Sequence, residues 1–198
     1  MTGPNSLSSR RTVGLGLLAL PVLTVAAPLS PADISPFAGI PGIRFEHYDV
    51  ERRTPQEIYA SMHARAPRDA DGAQGLGRTS WQMDVHWRES RRGSSCTVSE
   101  PVVRMSISVL LPRLRTSPVT PDGLAFWRAS LRGLEIHEAG HARIAWDHRD
   151  DFKRAANHAK CKSIDTVARQ THARIAALQQ AYDRETGHGR TQTPPTEP

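Results

Sequence analysis

The feature that most constrains the fold of this chain is a change of hydrophobic period near residue 120. Before that point, apolar and polar residues alternate along Trp81–Trp87 and Val103–Leu111, as they do in half-buried strands. After it, apolar residues recur at helical spacing through residues 121–160 and again from Ser163 to Arg184. Strands followed by helices predict an α+β fold rather than alternating βαβ units.

Shorter signals add detail to the first half of the chain. Residues Ile43–Val50 alternate well enough to form a strand, and Thr54-Pro55-Gln56-Glu57 is a capping box that should begin a short helix reaching about residue 64. The sequence RRGSS at 91–95 is typical of a hairpin turn, and Pro112 should close the last strand. We therefore expect a small antiparallel sheet with a short helix, followed by a helical C-terminal half. Gly133 could divide residues 121–160 into two helices or lie within one.

The two ends of the chain are expected to lie outside the folded domain. Residues 1–32 have the features of an export signal, because Arg10 and Arg11 precede an apolar run of about 15 residues, shorter than the roughly 20 of a membrane-spanning helix. The paired arginines leave a twin-arginine signal and an ordinary secretory signal both open, and a retained membrane anchor is the alternative. We expect a linker at 33–42, one domain at 43–192, and a disordered tail at 193–198. The mature protein would then be secreted or periplasmic and would carry no membrane span.

The charge of the chain limits its partners. A net charge of +6 arises from 23 arginines and 3 lysines against 20 acidic residues. The basic residues are scattered along the chain, whereas a nucleic-acid-binding module concentrates them in one run or on one face. We therefore expect a solvated basic surface and no nucleic-acid partner.

Export also affects how the two cysteines are interpreted. Outside the cytoplasm, a single even pair most simply forms a disulfide, so Cys96 and Cys161 are expected to be joined. A catalytic cysteine is the alternative, although neither residue lies in a recognisable nucleophile motif.

One motif carries metal chemistry. His137-Glu138-Ala139-Gly140-His141 is an HExxH sequence within a helical pattern, so its two histidines lie one turn apart on the same face. Two imidazoles at this spacing suit zinc, which lowers the pKa of a bound water. Glu138 lies about 100° around the helix, where it can take a proton from that water without being a ligand. Gly140 is unusual inside a helix, and it would be useful if another backbone or a ligand had to approach closely.

A catalytic zinc site needs a third protein ligand. The position ten residues after the first histidine is Asp147, but Ile144 stands where that ligand pattern has a helix-breaking glycine. The following helix offers His172 and no glutamate until its end. His188 follows that helix between two glycines that free the backbone to turn back, and it is the preferred third ligand. Asp147 and His172 remain alternatives.

A resemblance supports this interpretation. The chain is similar to a bacterial domain-of-unknown-function family labelled as secreted zinc-dependent proteases. The matching features are Tyr48-Asp49-Val50, Thr54, Trp81, Trp87, Cys96, the strand Val103–Leu111, the HExxH motif, Cys161, and Tyr182-Asp183-x-x-Thr186-x-His188-Gly189-x-x-Gln192. The sequence departs from the family where Thr193 replaces the usual glycine after Gln192. The resemblance implies a zincin-like metallopeptidase fold, zinc, and export.

Two residues beside the proposed third ligand could take part in the reaction. The hydroxyl of Tyr182 could donate a hydrogen bond to a developing oxyanion, and Asp183 could hydrogen-bond to a ligand imidazole and orient it without binding the metal itself. We expect a secreted zinc-dependent metallohydrolase, most simply a peptidase acting on a peptide or protein substrate. A non-catalytic zinc-containing protein of the cell envelope, with a binding or assembly role, is one alternative, and a metal-free structural module is another.

Overall fold

A computed structural model describes residues 35–68, 74–115 and 118–192. The predicted export signal at 1–32 and the predicted tail at 193–198 lie outside these residues. The described part of the chain has a mixed α+β architecture, as its sequence predicts. Its elements in order are β1 (Arg44–Val50), α1 (Pro55–Arg65), β2 (Arg78–Arg92), β3 (Ser95–Leu114), α2 (Pro121–Asp147), α3 (Asp151–Ala156), a 3₁₀ turn (Cys161–Ser163) and α4 (Ile164–Thr186).

The sheet is mixed rather than antiparallel, which corrects the prediction. Its strand order is β1-β3-β2, with β2 antiparallel to β3 across a tight turn at Gly93-Ser94, and β1 parallel to β3. A helix rather than a tight turn connects β1 to β2, so β1 is free to pair away from its neighbour in sequence. It takes the edge of β3 that the hairpin leaves open, and the two strands run in the same direction. Strand β3 also continues past Pro112, which pairs with Tyr48.

Short helix α1 begins as the sequence predicts. The Thr54 side chain accepts a hydrogen bond from the Glu57 backbone N–H, and the Glu57 carboxylate accepts one from the Thr54 N–H in return. Both bonds satisfy backbone groups that have no partner within the first turn. Ile58 and Met62 on this helix are buried against Val50 of β1.

Long helix α2 is continuous across Gly133 and packs against the sheet. Its alanines at 139, 142 and 145 are buried against Ile107, Val109 and Leu111 of β3. Small side chains let the helix lie close to the sheet. Two residues of the predicted linker, Phe37 and Ile40, are buried in the same cluster, so the chain already packs against the domain at these positions.

Helix α4 packs against α2 and also contacts β2, and a disulfide connects the start of α4 to the hairpin. Cys96 at the start of β3 and Cys161 just before α4 are bonded, with their Cα atoms 5.6 Å apart, which confirms the predicted pair. Phe152 and Ile164 pack nearby against Val98. A disulfide is compatible with a location outside the cytoplasm. Among the helices of the described residues, none combines the length and the apolar character needed to cross a bilayer.

Candidate metal centre

The candidate centre lies where α2 faces α4. Because successive helical residues are rotated by about 100°, His137 and His141 project toward α4, whereas Glu138 and the alanines turn toward the sheet. Asp183, in the last turn of α4, points back at the two imidazoles. His137 is 7% exposed, and the side chain of Asp183 is 28% exposed, so the centre is partly shielded from solvent.

Three ligand-type atoms meet at this point. The Nε2 atoms of His137 and His141 are 3.2 Å apart. Asp183 Oδ1 lies 3.0 Å from the His141 Nε2 and 3.4 Å from the His137 Nε2. These three residues form a group with the spacing of a metal site.

The tautomer of His141 follows from its neighbour Gln179. The side-chain N–H of Gln179 donates to the backbone carbonyl of His141 at 3.0 Å, which fixes the orientation of the amide. The amide oxygen of Gln179 then lies 2.5 Å from His141 Nδ1 and can only accept a hydrogen bond there. The proton of a neutral His141 therefore resides on Nδ1, and its Nε2 presents a lone pair to Asp183.

The surroundings of His137 favour the same tautomer. Its Nδ1 is 3.1 Å from the amide oxygen of Gln192 and 3.4 Å from the hydroxyl of Thr186. Burial lowers the pKa of the His137 imidazole, with a further contribution from His141, so the neutral form is favoured. Two nitrogen lone pairs and a carboxylate oxygen thus converge with no hydrogen between them. Such an arrangement is repulsive by itself and suits a cation at its centre.

The predicted third ligand, His188, lies beside this group. Its Nδ1 is 3.7 Å from Asp183 Oδ1, and its side chain is 81% exposed. The structure thus brings Asp183, which the sequence suggested for a supporting role, into the set with the two HExxH histidines. The alternatives lie elsewhere: Asp147 is exposed at the end of α2, and His172 stacks on Trp81 with ring centroids 4.6 Å apart.

Comparison with known proteins gives one match. A family model described as a bacterial protein of unknown function, DUF922, matches residues 45–189, nearly three quarters of the chain. The chain belongs to DUF922. The match contains both helices of the candidate centre, α2 and α4. Neither the curated proteins nor the solved structures contain a match to the chain.

The general-base candidate of this DUF922 chain is buried next to the sheet. Glu138 is 3% exposed, and one of its carboxylate oxygens accepts a hydrogen bond of 2.7 Å from the Thr79 hydroxyl on β2. Burial raises the pKa of the Glu138 carboxyl, and the Thr79 hydrogen bond opposes that rise. A carboxyl group in this environment can exchange a proton nearer neutral pH than an exposed one can.

Tyr182 occupies the space that Gly140 leaves free. A Cβ at position 140 would lie 2.0 Å from the Tyr182 hydroxyl oxygen, so a side chain there is incompatible with this placement. The Tyr182 ring stacks on His137 at a centroid distance of 5.3 Å and meets His141 edge-on at 5.0 Å. The group that approaches the HExxH helix at this glycine is therefore a tyrosine side chain, rather than the backbone or ligand that the sequence suggested.

Four residues of the centre escaped sequence reasoning as functional groups. Thr79 precedes the strand predicted at Trp81–Trp87, although its alternation with Trp81 could have extended that strand to include it. Gln179 lies one helical turn before Asp183, so the i, i+4 rule could have placed both on the side of α4 that faces the two histidines. Gly77 carries no such local signal, and Thr186 is marked only as a member of the family motif. A Cβ at Gly77 would lie 2.6 Å from a Glu138 carboxylate oxygen, which shows how closely the backbone covers that side chain.

Proposed function

We propose that this DUF922 protein is a zinc-dependent metallohydrolase in which His137, His141 and Asp183 hold the metal. The observation that carries the proposal is the convergence of three acceptor atoms 3.0–3.4 Å apart. A tetrahedral zinc ion at about 2.0–2.1 Å from each ligand requires ligand atoms about 3.3–3.4 Å apart. The residues therefore fit the ion.

The residues around the metal have separate roles in the proposed reaction. Bound zinc supplies Lewis-acid chemistry, which polarises a carbonyl group and acidifies water. Glu138 takes a proton from the attacking water and later passes it to the leaving amine. Tyr182 donates a hydrogen bond to the oxygen of the carbonyl group as negative charge develops there. Gln179 and Gln192 keep the Nε2 lone pairs of the two histidines directed at the metal.

The substrate class proposed is a peptide or protein whose amide bond is hydrolysed outside the cytoplasm. The HExxH helix packed against a mixed sheet supports a zincin-like peptidase, and the Cys96–Cys161 disulfide supports a secreted or periplasmic location. His188 lies at the exposed rim of the centre, 3.7 Å from Asp183, where it can contact substrate or become a further ligand.

The direct test is a Glu138→Gln variant, assayed for zinc content and for cleavage of casein and of a peptide library. We expect zinc to be retained and the rate to fall by about 10²- to 10⁴-fold, because the general base is lost while the three ligands remain. Glu135→Gln on the same helix is the matched control, since Glu135 faces Arg132 and takes no part in the centre. Full cleavage by the Glu138→Gln variant would contradict the mechanism.

A non-catalytic zinc protein of the cell envelope is the second candidate. The near-complete burial of Glu138 beneath Thr79 and Gly77 favours it, because a structural carboxylate would also be enclosed in this way. This candidate requires bound zinc together with no cleavage by the wild-type protein. Cleavage that is lost on chelation and restored by zinc would exclude it.

A further inference from the structure

Gln192 contacts two groups of the centre with one amide. Its oxygen lies 3.1 Å from His137 Nδ1, and its nitrogen lies 2.9 Å from the Tyr182 hydroxyl oxygen. The residue is held in place by the turn that follows α4, since its backbone N–H donates to the Gly189 carbonyl at 3.0 Å. One side chain beyond the last helix therefore contacts both a proposed zinc ligand and the proposed oxyanion donor.

The two possible orientations of this amide have opposite chemical consequences. With its oxygen on His137, Gln192 requires a proton on Nδ1, so Nε2 offers its lone pair to a metal. Its N–H then donates to the Tyr182 oxygen, and the Tyr182 proton is available to another acceptor. With the amide reversed, the His137 proton moves to Nε2, where it blocks the metal, and the Tyr182 proton is directed at Gln192.

Thr186 distinguishes between these orientations. Its hydroxyl donates to the Tyr182 backbone carbonyl at 2.8 Å, which uses its single proton. Toward His137 Nδ1, at 3.4 Å, the Thr186 oxygen can only accept. A proton on Nδ1 satisfies Thr186 and Gln192 together, so the first orientation is the one that the surrounding hydrogen bonds support.

We propose that Gln192 is a positioning residue that couples the tautomer of His137 to the direction of the Tyr182 proton. When the amide oxygen of Gln192 faces His137, the His137 tautomer can bind zinc and the Tyr182 hydroxyl can donate to a substrate. Reversing the amide removes both properties together. This inference rests on the proposed function for the role of Tyr182, whereas the tautomer of His137 is independent of catalysis.

Two substitutions separate the two contacts. Gln192→Glu presents an acceptor oxygen to His137 and another to Tyr182. The Nδ1 proton of His137 is therefore preserved, and the Tyr182 hydroxyl donates its hydrogen bond to the carboxylate. Gln192→Leu removes both contacts. Gln180→Glu is the matched control, because it makes the same chemical change at an exposed position of α4 and leaves the Gln192–Tyr182 bond in place.

The first measurement is ¹⁵N NMR of the His137 ring in metal-free protein, combined with a competition titration of zinc. We expect the Nδ1–H tautomer in the wild type and in Gln192→Glu, with zinc affinity changed by less than about 10-fold between them. Gln192→Leu should give mixed tautomers and zinc affinity about 10- to 100-fold weaker. A wild-type His137 protonated on Nε2, or an unchanged tautomer and affinity in Gln192→Leu, would overturn the inference.

The second measurement is the factor by which Tyr182→Phe slows peptide cleavage in each background. In the wild type and in Gln180→Glu we expect about 10²-fold. In Gln192→Glu the factor should fall to about 3-fold or less, because the Tyr182 proton is already directed at residue 192 instead of the substrate. The effects of two substitutions in one hydrogen-bond network are not additive. An equal factor in all three backgrounds would refute the coupling. Absence of cleavage by zinc-loaded wild type would refute the proposed function, while the NMR and zinc titration would still decide the role of Gln192.

Discussion

Replacing Gly140 with alanine tests the packing of the centre. Alanine in a helix interior is favoured over glycine by about 1 kcal/mol, so a helix alone would be stabilised. Here the new Cβ would lie 2.0 Å from the Tyr182 hydroxyl oxygen and 2.2 Å from Cζ, so the tyrosine ring must leave its site. That movement breaks the hydrogen bond with Gln192, worth about 1 kcal/mol, and the ring contacts with His137 and His141, worth about 1–3 kcal/mol together.

The expected balance is a loss of about 1–3 kcal/mol in the free energy of unfolding, once the helix gain is subtracted. Urea denaturation of metal-free protein measures it without a contribution from bound zinc. The sharper observation is a change of sign: in a Tyr182→Ala background, Gly140→Ala should stabilise the protein by about 1 kcal/mol, because the obstructing ring is gone. Stabilisation by Gly140→Ala alone, with Tyr182 present, would refute this account of the glycine.

Three further results are expected. Thr79→Val should move the acidic limb of the pH profile of cleavage to higher pH, because the Thr79 hydrogen bond lowers the pKa of Glu138 and the ionised form of Glu138 is the proposed base. Thr79→Ser is the control. Removing the disulfide by a Cys96→Ala, Cys161→Ala double variant should cost about 4 kcal/mol of unfolding free energy, given the sequence separation of 65 residues. Chelation should abolish cleavage and lower the melting temperature, whereas zinc at about 100 times its Kd should restore about 2.7 kcal/mol of stability.

The sequence predicts the helical elements of the centre better than their assembly. Periodicity and the HExxH spacing place His137 and His141 on one helical face, and Gly140 indicates a close approach by another group. Which residue of α4 lies against that face depends on the point along each helix at which α2 and α4 cross. Asp183 and His188 lie little more than one turn apart, so local pattern cannot choose between them.

The direction of β1 and the hydrogen-bond partner of Glu138 could also not be predicted from the sequence. A strand of seven residues has the same alternation whether its neighbour is parallel or antiparallel, so β1 could be located but not oriented. Thr79 and Glu138 are 59 residues apart in the sequence, and only the packing of α2 on the sheet brings them together. Such long-range contacts are decided by tertiary packing rather than by local propensity.

Zinc affinity in ligand variants tests the central claim most directly. The wild-type protein, Asp183→Ala and His188→Ala would each be titrated with zinc against a chromophoric chelator. We expect one equivalent of zinc in the wild type, a loss of about 100-fold or more for Asp183→Ala, and a loss below about 10-fold for His188→Ala. A wild-type protein that binds no zinc, or an Asp183→Ala variant that binds as tightly as the wild type, would contradict the account.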